Sequence, residues 1–159
     1  MRNRLAFEAG STTSAFEKNR LAATQIAITG SLEGDLLFGT DAAESIDALD
    51  GSDMVFAGGG DDEVRGGGGT DILYGQNGAD VLDGGDGYDT LAGGEGDDTL
   101  LGGAGTGLLY GEAGDDTLYG GDAADLLNGG GGSDRLHGAA GDDLVFSGEG
   151  LGAVVEAFD

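Results

Sequence analysis

The chain has 159 residues and a formal net charge of −25, from 31 acidic and 6 basic residues. This charge argues against nucleic acid and anionic membranes as partners and favours the binding of many cations. With 37 glycines, no proline and no cysteine, the backbone can form many turns, but no disulfide can stabilise it. The length indicates one domain, and no apolar run is long enough to predict membrane insertion.

Residues 1–29 precede the repetitive part of the chain and are predicted to form an N-terminal capping segment. Ser14 and Glu17 have the S-x-x-E spacing of a helix capping box, which predicts a short helix over residues 16–23. Residues 24–29 alternate apolar and polar side chains, which predicts a strand. The alternative is a partly disordered leader.

Residues 30–146 divide into thirteen consecutive units of nine residues without an insertion or deletion. The sixth position of the unit is Asp in eleven cases, with Glu44 and Gly107 as exceptions, and the eighth is aliphatic in all thirteen. Glycine occupies the first position in eleven units and the fourth in ten. A phase that holds over 117 residues identifies a repeat protein.

Each unit is predicted to be a turn of six residues followed by a strand of three. Glycine at fixed places marks turns, whereas positions seven to nine hold the aliphatic, β-branched and aromatic residues. Side chains alternate along a strand, so the eighth position points into the core and the seventh and ninth point outward. Two units per coil then predict two parallel sheets back to back in roughly six coils.

Unit 8 is Gly93-Gly94-Glu95-Gly96-Asp97-Asp98-Thr99-Leu100-Leu101 and fits G-G-x-G-x-D-x-(aliphatic)-x at every defined position. The chain resembles the RTX (repeats-in-toxin), or hemolysin-type, calcium-binding nonapeptide repeat family over 117 of its 159 residues. The resemblance implies an all-β fold, a right-handed parallel β-roll (solenoid) of about thirteen rungs forming two stacked parallel sheets. It also implies multiple calcium ions, each lying between neighbouring turns of one edge.

The spacing itself favours a divalent cation, because sixth-position carboxylates would stack about 5 Å apart along each edge. Two unit charges at this distance repel by roughly 3 kcal/mol at an effective dielectric of about 20. Calcium accepts carboxylate and carbonyl oxygens in flexible geometry, whereas zinc would need Cys or His, and the chain has one His. The predicted metal ligands are Asp35, Asp53, Asp62, Asp71, Asp80, Asp89, Asp98, Asp116, Asp125, Asp134 and Asp143.

The two edges of the roll are predicted to differ. Even-numbered units give one edge with five consecutive Asp, which is expected to hold four ions: Glu44, Asp62, Asp80, Asp98, Asp116 and Asp134. Odd-numbered units give the other: Asp35, Asp53, Asp71, Asp89, Gly107, Asp125 and Asp143. This odd edge should hold ions from Asp53 to Asp89 and weaken at Gly107, which has no carboxylate. Departures from the pattern make units 1 and 2 doubtful sites and weaken the Asp125 turn: Ser31, Glu33, Ala42, Ala43 and Ala123.

Calcium binding and folding are predicted to be one event. Burial of the aliphatic column alone does not offset the conformational entropy of ordering more than a hundred residues, and carboxylate repulsion opposes the fold further. We expect a chain that is largely disordered without calcium and folds as calcium binds.

Outward side chains differ between odd and even units. Even units present mainly polar residues, whereas odd units present an apolar and aromatic face that includes Phe38, Phe56, Tyr74, Tyr110 and Phe146. A patch of this size rarely stays exposed on a soluble monomer. We expect homo-association, docking of a neighbouring domain or coverage by the N-terminal segment; the alternative is that a flat sheet leaves its aromatic residues exposed.

Residues 147–159 contain one degraded unit, with Gly152 in place of Asp and Val154 at the aliphatic position, and are predicted to be a C-terminal cap or tail. Catalysis is not expected, because the chain has no H-E-x-x-H, no G-x-S-x-G and no cysteine. Paired carboxylates such as Asp97 and Asp98 are explained by their repeat positions.

The favoured function is a calcium-binding module of a secreted or surface bacterial protein that folds outside the cell. A second hypothesis is the C-terminal folding and export module of a larger secreted enzyme, such as a protease, lipase or epimerase. A calcium-dependent adhesin or ice-binding repeat is a third. The family resemblance implies an extracellular or cell-surface location and type I export.

Overall fold

The structure, a computed structural model, describes residues 26–148 and 154–157. Within these ranges it contains fifteen strands and no helix, and forms an all-β parallel solenoid of about seven turns. The predicted fold class is therefore confirmed, with more turns than the roughly six expected. The described residues thus include no helix that could cross a membrane. The helix predicted over residues 16–23 lies outside them.

The strands form two sheets. The sheet built mainly from even units, named the polar sheet here, contains β1 (Ile26–Thr29), β3 (Glu44–Asp47), β4 (Asp50–Gly51), β6 (Glu63–Gly69), β9 (Thr99–Gly103), β11 (Thr117–Gly121), β13 (Arg135–Ala139) and β15 (Val154–Ala157). The sheet of odd units, named the aromatic sheet, contains β2 (Leu36–Phe38), β5 (Met54–Gly59), β7 (Ile72–Asn77), β10 (Thr106–Ala113), β12 (Leu126–Gly131) and β14 (Leu144–Phe146). The remaining strand, β8 (Val81–Glu95), turns the corner and belongs to both sheets.

All strand pairs are parallel, and from β1 to β14 each residue pairs with the residue eighteen positions further along. One coil therefore consists of two units, as predicted. Ile28 pairs with Ile46, so β1 adds a strand in register before unit 1. At the other end Leu136 pairs with Val155, whereas the sequence placed Val154 at that position.

The core is the column of eighth-position aliphatic side chains between the two sheets. Eleven of them are at most 1 % exposed: Ile46, Val55, Val64, Leu73, Leu82, Leu91, Leu100, Leu109, Leu118, Leu127 and Leu136. Leu37 and Val145, at the ends of the column, are partly buried against it. The predicted core is confirmed, and the first-position residues Ala48 and Ala57 join it.

The outward side chains differ between the two sheets, as predicted for odd and even units. On the aromatic sheet, Phe38 stacks on Phe56 and Phe56 on Tyr74, with ring centroids 5.4 and 4.9 Å apart. On the polar sheet, Arg65 forms an ion pair with Glu63. The two sheets therefore offer chemically different surfaces to other molecules.

Candidate metal centre

The predicted metal ligands lie where each turn enters its strand, and most of them are deeply buried. Nine are at most 3 % exposed: Asp53, Asp62, Asp71, Asp80, Asp89, Asp98, Asp116, Asp125 and Asp134. Asp35 and Asp143, at the two ends of the odd edge, are half-buried. Strand register brings the members of each edge into one column, with successive members in adjacent coils.

Except for Asp35, each of these side chains links adjacent coils through one carboxylate oxygen. Oδ1 of Asp71 accepts a hydrogen bond of 2.8 Å from the N–H of Asp53 in the preceding coil. The N–H of Asp71 donates to Oδ1 of Asp89 at 3.0 Å, and the C=O of Asp71 accepts from the N–H of Thr90 at 2.8 Å. The even edge has the same ladder over its whole length, from Glu44 to Asp134.

The other carboxylate oxygen has no hydrogen-bond donor. Ten Oδ2 atoms are buried without a hydrogen-bond partner: those of Asp53, Asp62, Asp71, Asp80, Asp89, Asp98, Asp116, Asp125, Asp134 and Asp143. Leaving one buried polar group unsatisfied costs about 1–3 kcal/mol, and more when the group is charged. Folded proteins rarely contain such atoms, so a column of them indicates that each oxygen binds a cation or a proton.

The first-position glycines leave space beside these oxygens. An ideal Cβ on Gly66 would lie 2.6 Å from Oδ2 of Asp71 and 2.7 Å from the carbonyl oxygen of Gly84. The same pair of groups, the unit's own Asp and a carbonyl of the next coil, surrounds Gly75, Gly84, Gly111 and Gly120. A carbonyl oxygen and a carboxylate oxygen without a donor converge there, which is an arrangement that suits a positive ion.

Burial also changes the proton affinity of these carboxylates. It raises the pKa of Asp98 to about 7 and the pKa of Asp62 and Asp116 to about 6. The backbone hydrogen bond to each carboxylate opposes the rise, and neighbouring carboxylates add to it. Burial likewise raises the pKa of Asp53, Asp71, Asp80, Asp89 and Asp125.

The donor set fits calcium. Among the described residues, no group of three or more His, Cys, Asp or Glu side chains is placed to hold a metal ion. An ion beside the Asp carboxylates would therefore take further ligands from backbone carbonyls or water. Calcium binds carboxylate and carbonyl oxygens in flexible geometry, whereas protein zinc sites are built from Cys, His and carboxylate side chains. The sixth-position Asp side chains would hold the ion, which would place two positive charges between stacked carboxylates.

Units 1 and 2, which the sequence marked as doubtful sites, differ from the others. Oδ2 of Asp35 accepts hydrogen bonds from the N–H and the hydroxyl of Ser31, at 2.6 and 2.9 Å. The carboxylate of Glu44 accepts from the N–H and the hydroxyl of Thr40. Both side chains are thus bonded within their own turns, and Asp35, like the other ten predicted ligands, stays a prediction as a calcium ligand.

Gly107 interrupts the column of the odd edge. Its N–H donates to Oδ1 of Asp125 at 2.6 Å, so its backbone remains in the ladder. It has no side chain to accept the N–H of Asp89, however, and supplies no carboxylate between Asp89 and Asp125. The interruption lies where the sequence predicted weaker calcium binding.

Sequence reasoning missed a second ladder, at the fifth position of even units. Oδ1 of Asp97 accepts from the N–H of Asp115, and Oδ1 of Asp115 accepts from the N–H of Ser133, each at 2.8 Å. Asp61 accepts from Ala79 in the same way. These bonds come from the following coil, whereas those of the sixth position come from the preceding one. The recurrence of Asp at the fifth position of the unit is the signal from which this ladder could have been predicted.

Comparison with known families agrees with this geometry. A search of curated proteins gave no match. The sequence profile of the RTX calcium-binding nonapeptide repeat matches four times, at residues 38–73, 74–109, 106–136 and 119–151. These matches cover most of the chain and include both columns of buried Asp side chains. The chain therefore belongs to the RTX calcium-binding nonapeptide repeat family.

Proposed function

We propose that the chain is a calcium-binding β-roll module of a secreted or surface-displayed bacterial protein, which folds when it meets calcium outside the cell. The main support is the column of ten buried Oδ2 atoms without a donor. A metal-free roll would bury these charges unpaired, which opposes folding, and calcium would remove that cost. An RTX roll is a structural calcium-binding module and is not itself catalytic.

The proposed sites follow the two columns. Four ions are expected on the even edge between Asp62 and Asp134, and two on the odd edge between Asp53 and Asp89. Weaker binding is expected near Asp125 and Asp143, beyond the interruption at Gly107.

Low calcium in the cytosol would keep such a chain unfolded until export, and higher calcium outside would fold it. Type I export, a role as the folding module of a larger secreted enzyme and an adhesive role stay predictions.

We also propose that the aromatic sheet docks a second copy of the chain or a neighbouring domain. Phe38 and Phe146, at opposite ends of this face, are 53 % and 49 % exposed. Leu36 and Leu144 beside them are 44 % and 52 % exposed. Soluble monomers seldom expose large apolar patches, which supports a docking role.

A calcium titration of chelator-treated protein tests the main proposal. We expect the far-UV circular dichroism spectrum to change from that of a disordered chain to that of β structure, and calorimetry to detect several ions per chain. Magnesium at the same concentration serves as the control and should produce neither effect. A β spectrum that persists in EDTA would overturn the coupling of folding to calcium, and a calorimetric titration without binding would overturn the metal assignment.

A further inference from the structure

The column of aromatic rings on the aromatic sheet has a gap in its middle. Strand register places Ala92 between Tyr74 and Tyr110 of the adjacent coils. In the same coil, Gly94 lies between Gln76 and Glu112. Two small residues flanked by larger ones leave a notch one coil wide, with a volume of about 340 Å³.

The notch has a small apolar floor and polar sides. Residues 92–94 form the floor, Tyr74 and Gln76 line one side, and Glu112 lines the other. Glu95 lies at the end of the floor. Gln76, Glu95 and Glu112 are exposed, so a ligand could reach them directly from solvent.

One face of the Tyr74 ring is available to a ligand. Phe56 stacks on the other face, with the two rings within 10° of parallel. Stacked strands are about 4.8 Å apart, so a planar group lying over Ala92 would be about 4.8 Å from the ring of Tyr74. This distance is within the stacking range of about 4.5–7 Å.

The charges around the notch favour a planar cation. Two carboxylates, Glu95 and Glu112, lie at its edge, none of its lining residues is basic, and the whole chain has a net charge of −25. Aromatic faces attract cations, and a guanidinium stacks flat on a tyrosine while it donates paired hydrogen bonds to carboxylates. A compact ammonium group has the charge but not the planar shape.

The polar residues on both sides occupy an unusual backbone conformation. Gln76 and Glu112 have φ values of 82° and 77°, in the left-handed region. Gly94 lies between them in the column, and glycine is the residue that adopts this region freely. Leu49 and Ala139, the second residues of two other units, have the same left-handed conformation, so it is a feature of the repeat.

We propose that this notch binds a guanidinium group, such as that of an arginine side chain, stacked on Tyr74 and paired with Glu95 and Glu112. The notch is a feature of the folded roll, so the inference depends on the proposed calcium-induced folding.

The proposal is tested by titrating the calcium-saturated full chain with N-acetyl-arginine amide. Binding is measured by tyrosine fluorescence and by calorimetry. We expect saturable binding to one site, and binding of N-acetyl-lysine amide at least about tenfold weaker. Equal affinity for the two amides, or no saturable binding of the arginine compound, would overturn the proposal. The change in the far-UV circular dichroism spectrum on addition of calcium is recorded on the same samples. If the spectrum does not change, the proposed calcium-induced folding has failed, and the arginine proposal is not what the result contradicts.

Two matched variants locate the site. Ala92→Phe continues the ring column and fills the notch, so it should abolish binding of the arginine amide without changing the calcium titration. Asn128→Phe fills another position of the same column that lacks a ring, outside the notch, and should leave binding unchanged. Unchanged binding to the Ala92→Phe variant would refute the location.

The source of the guanidinium can be distinguished in the same assay. The variant with Arg2→Ala, Arg4→Ala and Arg20→Ala should bind the added amide more tightly if the arginines that precede the repeats compete for the notch. Unchanged affinity would indicate that the natural ligand comes from another molecule.

Discussion

At the scale of single residues, the two oxygens of a sixth-position Asp have different roles. Oδ1 accepts a backbone N–H from the preceding coil and so contributes to the stacking of coils. Oδ2 is buried beside a glycine without a donor and so depends on a cation or a proton. A substitution that changes only the second oxygen can separate metal binding from stacking.

Asp98→Asn separates the contribution of this side chain to metal binding from its contribution to the stacking of coils. The amide keeps an acceptor for the N–H of Asp80 but places no negative charge at the Oδ2 position. We expect calcium affinity at the adjoining sites to fall at least about tenfold, or about 1.4 kcal/mol, as measured by calorimetry. In chelator the variant should retain more β structure by circular dichroism than the wild type, because one buried charge is absent.

Asp97→Asn is the matched control for Asp98→Asn. It removes the same charge one residue earlier, at an exposed position whose Oδ1 accepts the N–H of Asp115. The amide can still accept that bond, and an exposed charge contributes little, so we expect calcium affinity to change by less than about twofold. Similar losses of affinity in the two variants would contradict the assignment of Oδ2 as the metal ligand.

At the scale of the structural element, the coil is the unit of metal binding, and the coil that contains Gly107 is incomplete. Gly107→Asp would supply the missing carboxylate and an acceptor for the N–H of Asp89. The new Cβ would lie 2.6 Å from Cδ1 of Leu109, the end of a flexible side chain that can rotate away. We expect the variant to bind more calcium ions per chain than the wild type in calorimetry and to unfold at a higher temperature in calcium.

Thr106→Asp tests whether added charge alone explains such a gain. It introduces the same carboxylate one residue earlier, at the fifth position, and should add no ion. If neither variant binds additional calcium, the column of sixth-position carboxylates does not determine the number of sites.

The elements could be predicted from the sequence because two columns recur every nine residues without an insertion or deletion. Aliphatic residues at the eighth position specified the strands and the core, and Asp at the sixth position specified the two edges. The in-register strand at Ile28 was not predicted as a further rung, since the glycine turns that mark the other units do not precede it. Val155 rather than Val154 pairs with Leu136, and the pairing returns to an interval of eighteen at Ala139 and Ala157.

The sequence predicted which Asp residues form the candidate site, but not how their two carboxylate oxygens are oriented. Spacing placed the Asp residues in two columns, yet it could not indicate that Oδ1 bonds the preceding coil while Oδ2 has no donor. Nor could it indicate that Ser31 and Thr40 bond the carboxylates of the first two units. These details depend on backbone dihedrals and hydroxyl positions that a nine-residue period does not encode.

At the scale of the whole molecule, the raised pKa values couple folding to pH. Asp98 has a pKa of about 7, and Asp62 and Asp116 have pKa values of about 6 in the folded, metal-free state, because burial disfavours their charged forms. An unfolded Asp has a pKa of about 3.9. The folded state therefore binds more protons than the unfolded state between about pH 4 and pH 7, and its metal-free stability falls as pH rises through this range.

We expect chelator-treated protein to contain more β structure at about pH 5 than at about pH 8, as measured by far-UV circular dichroism. Calcium affinity should change in the opposite direction and be higher at about pH 7.5 than at about pH 5.5, because protons compete for the same oxygens. Calorimetry in two buffers with different ionisation enthalpies would measure the protons that calcium displaces. A metal-free roll that is more stable at the higher pH would contradict the sign of this linkage.

Pairing at a constant interval of eighteen residues makes this architecture modular in whole coils. Excision of one coil, for example residues 84–101, would rejoin every later strand to its own sheet and keep both surfaces continuous. Excision of nine residues would instead exchange the surfaces of all strands beyond the cut, so that polar side chains would follow Phe38, Phe56 and Tyr74 along one face. Growth or shortening of the roll by duplication and deletion is therefore expected to proceed by pairs of units.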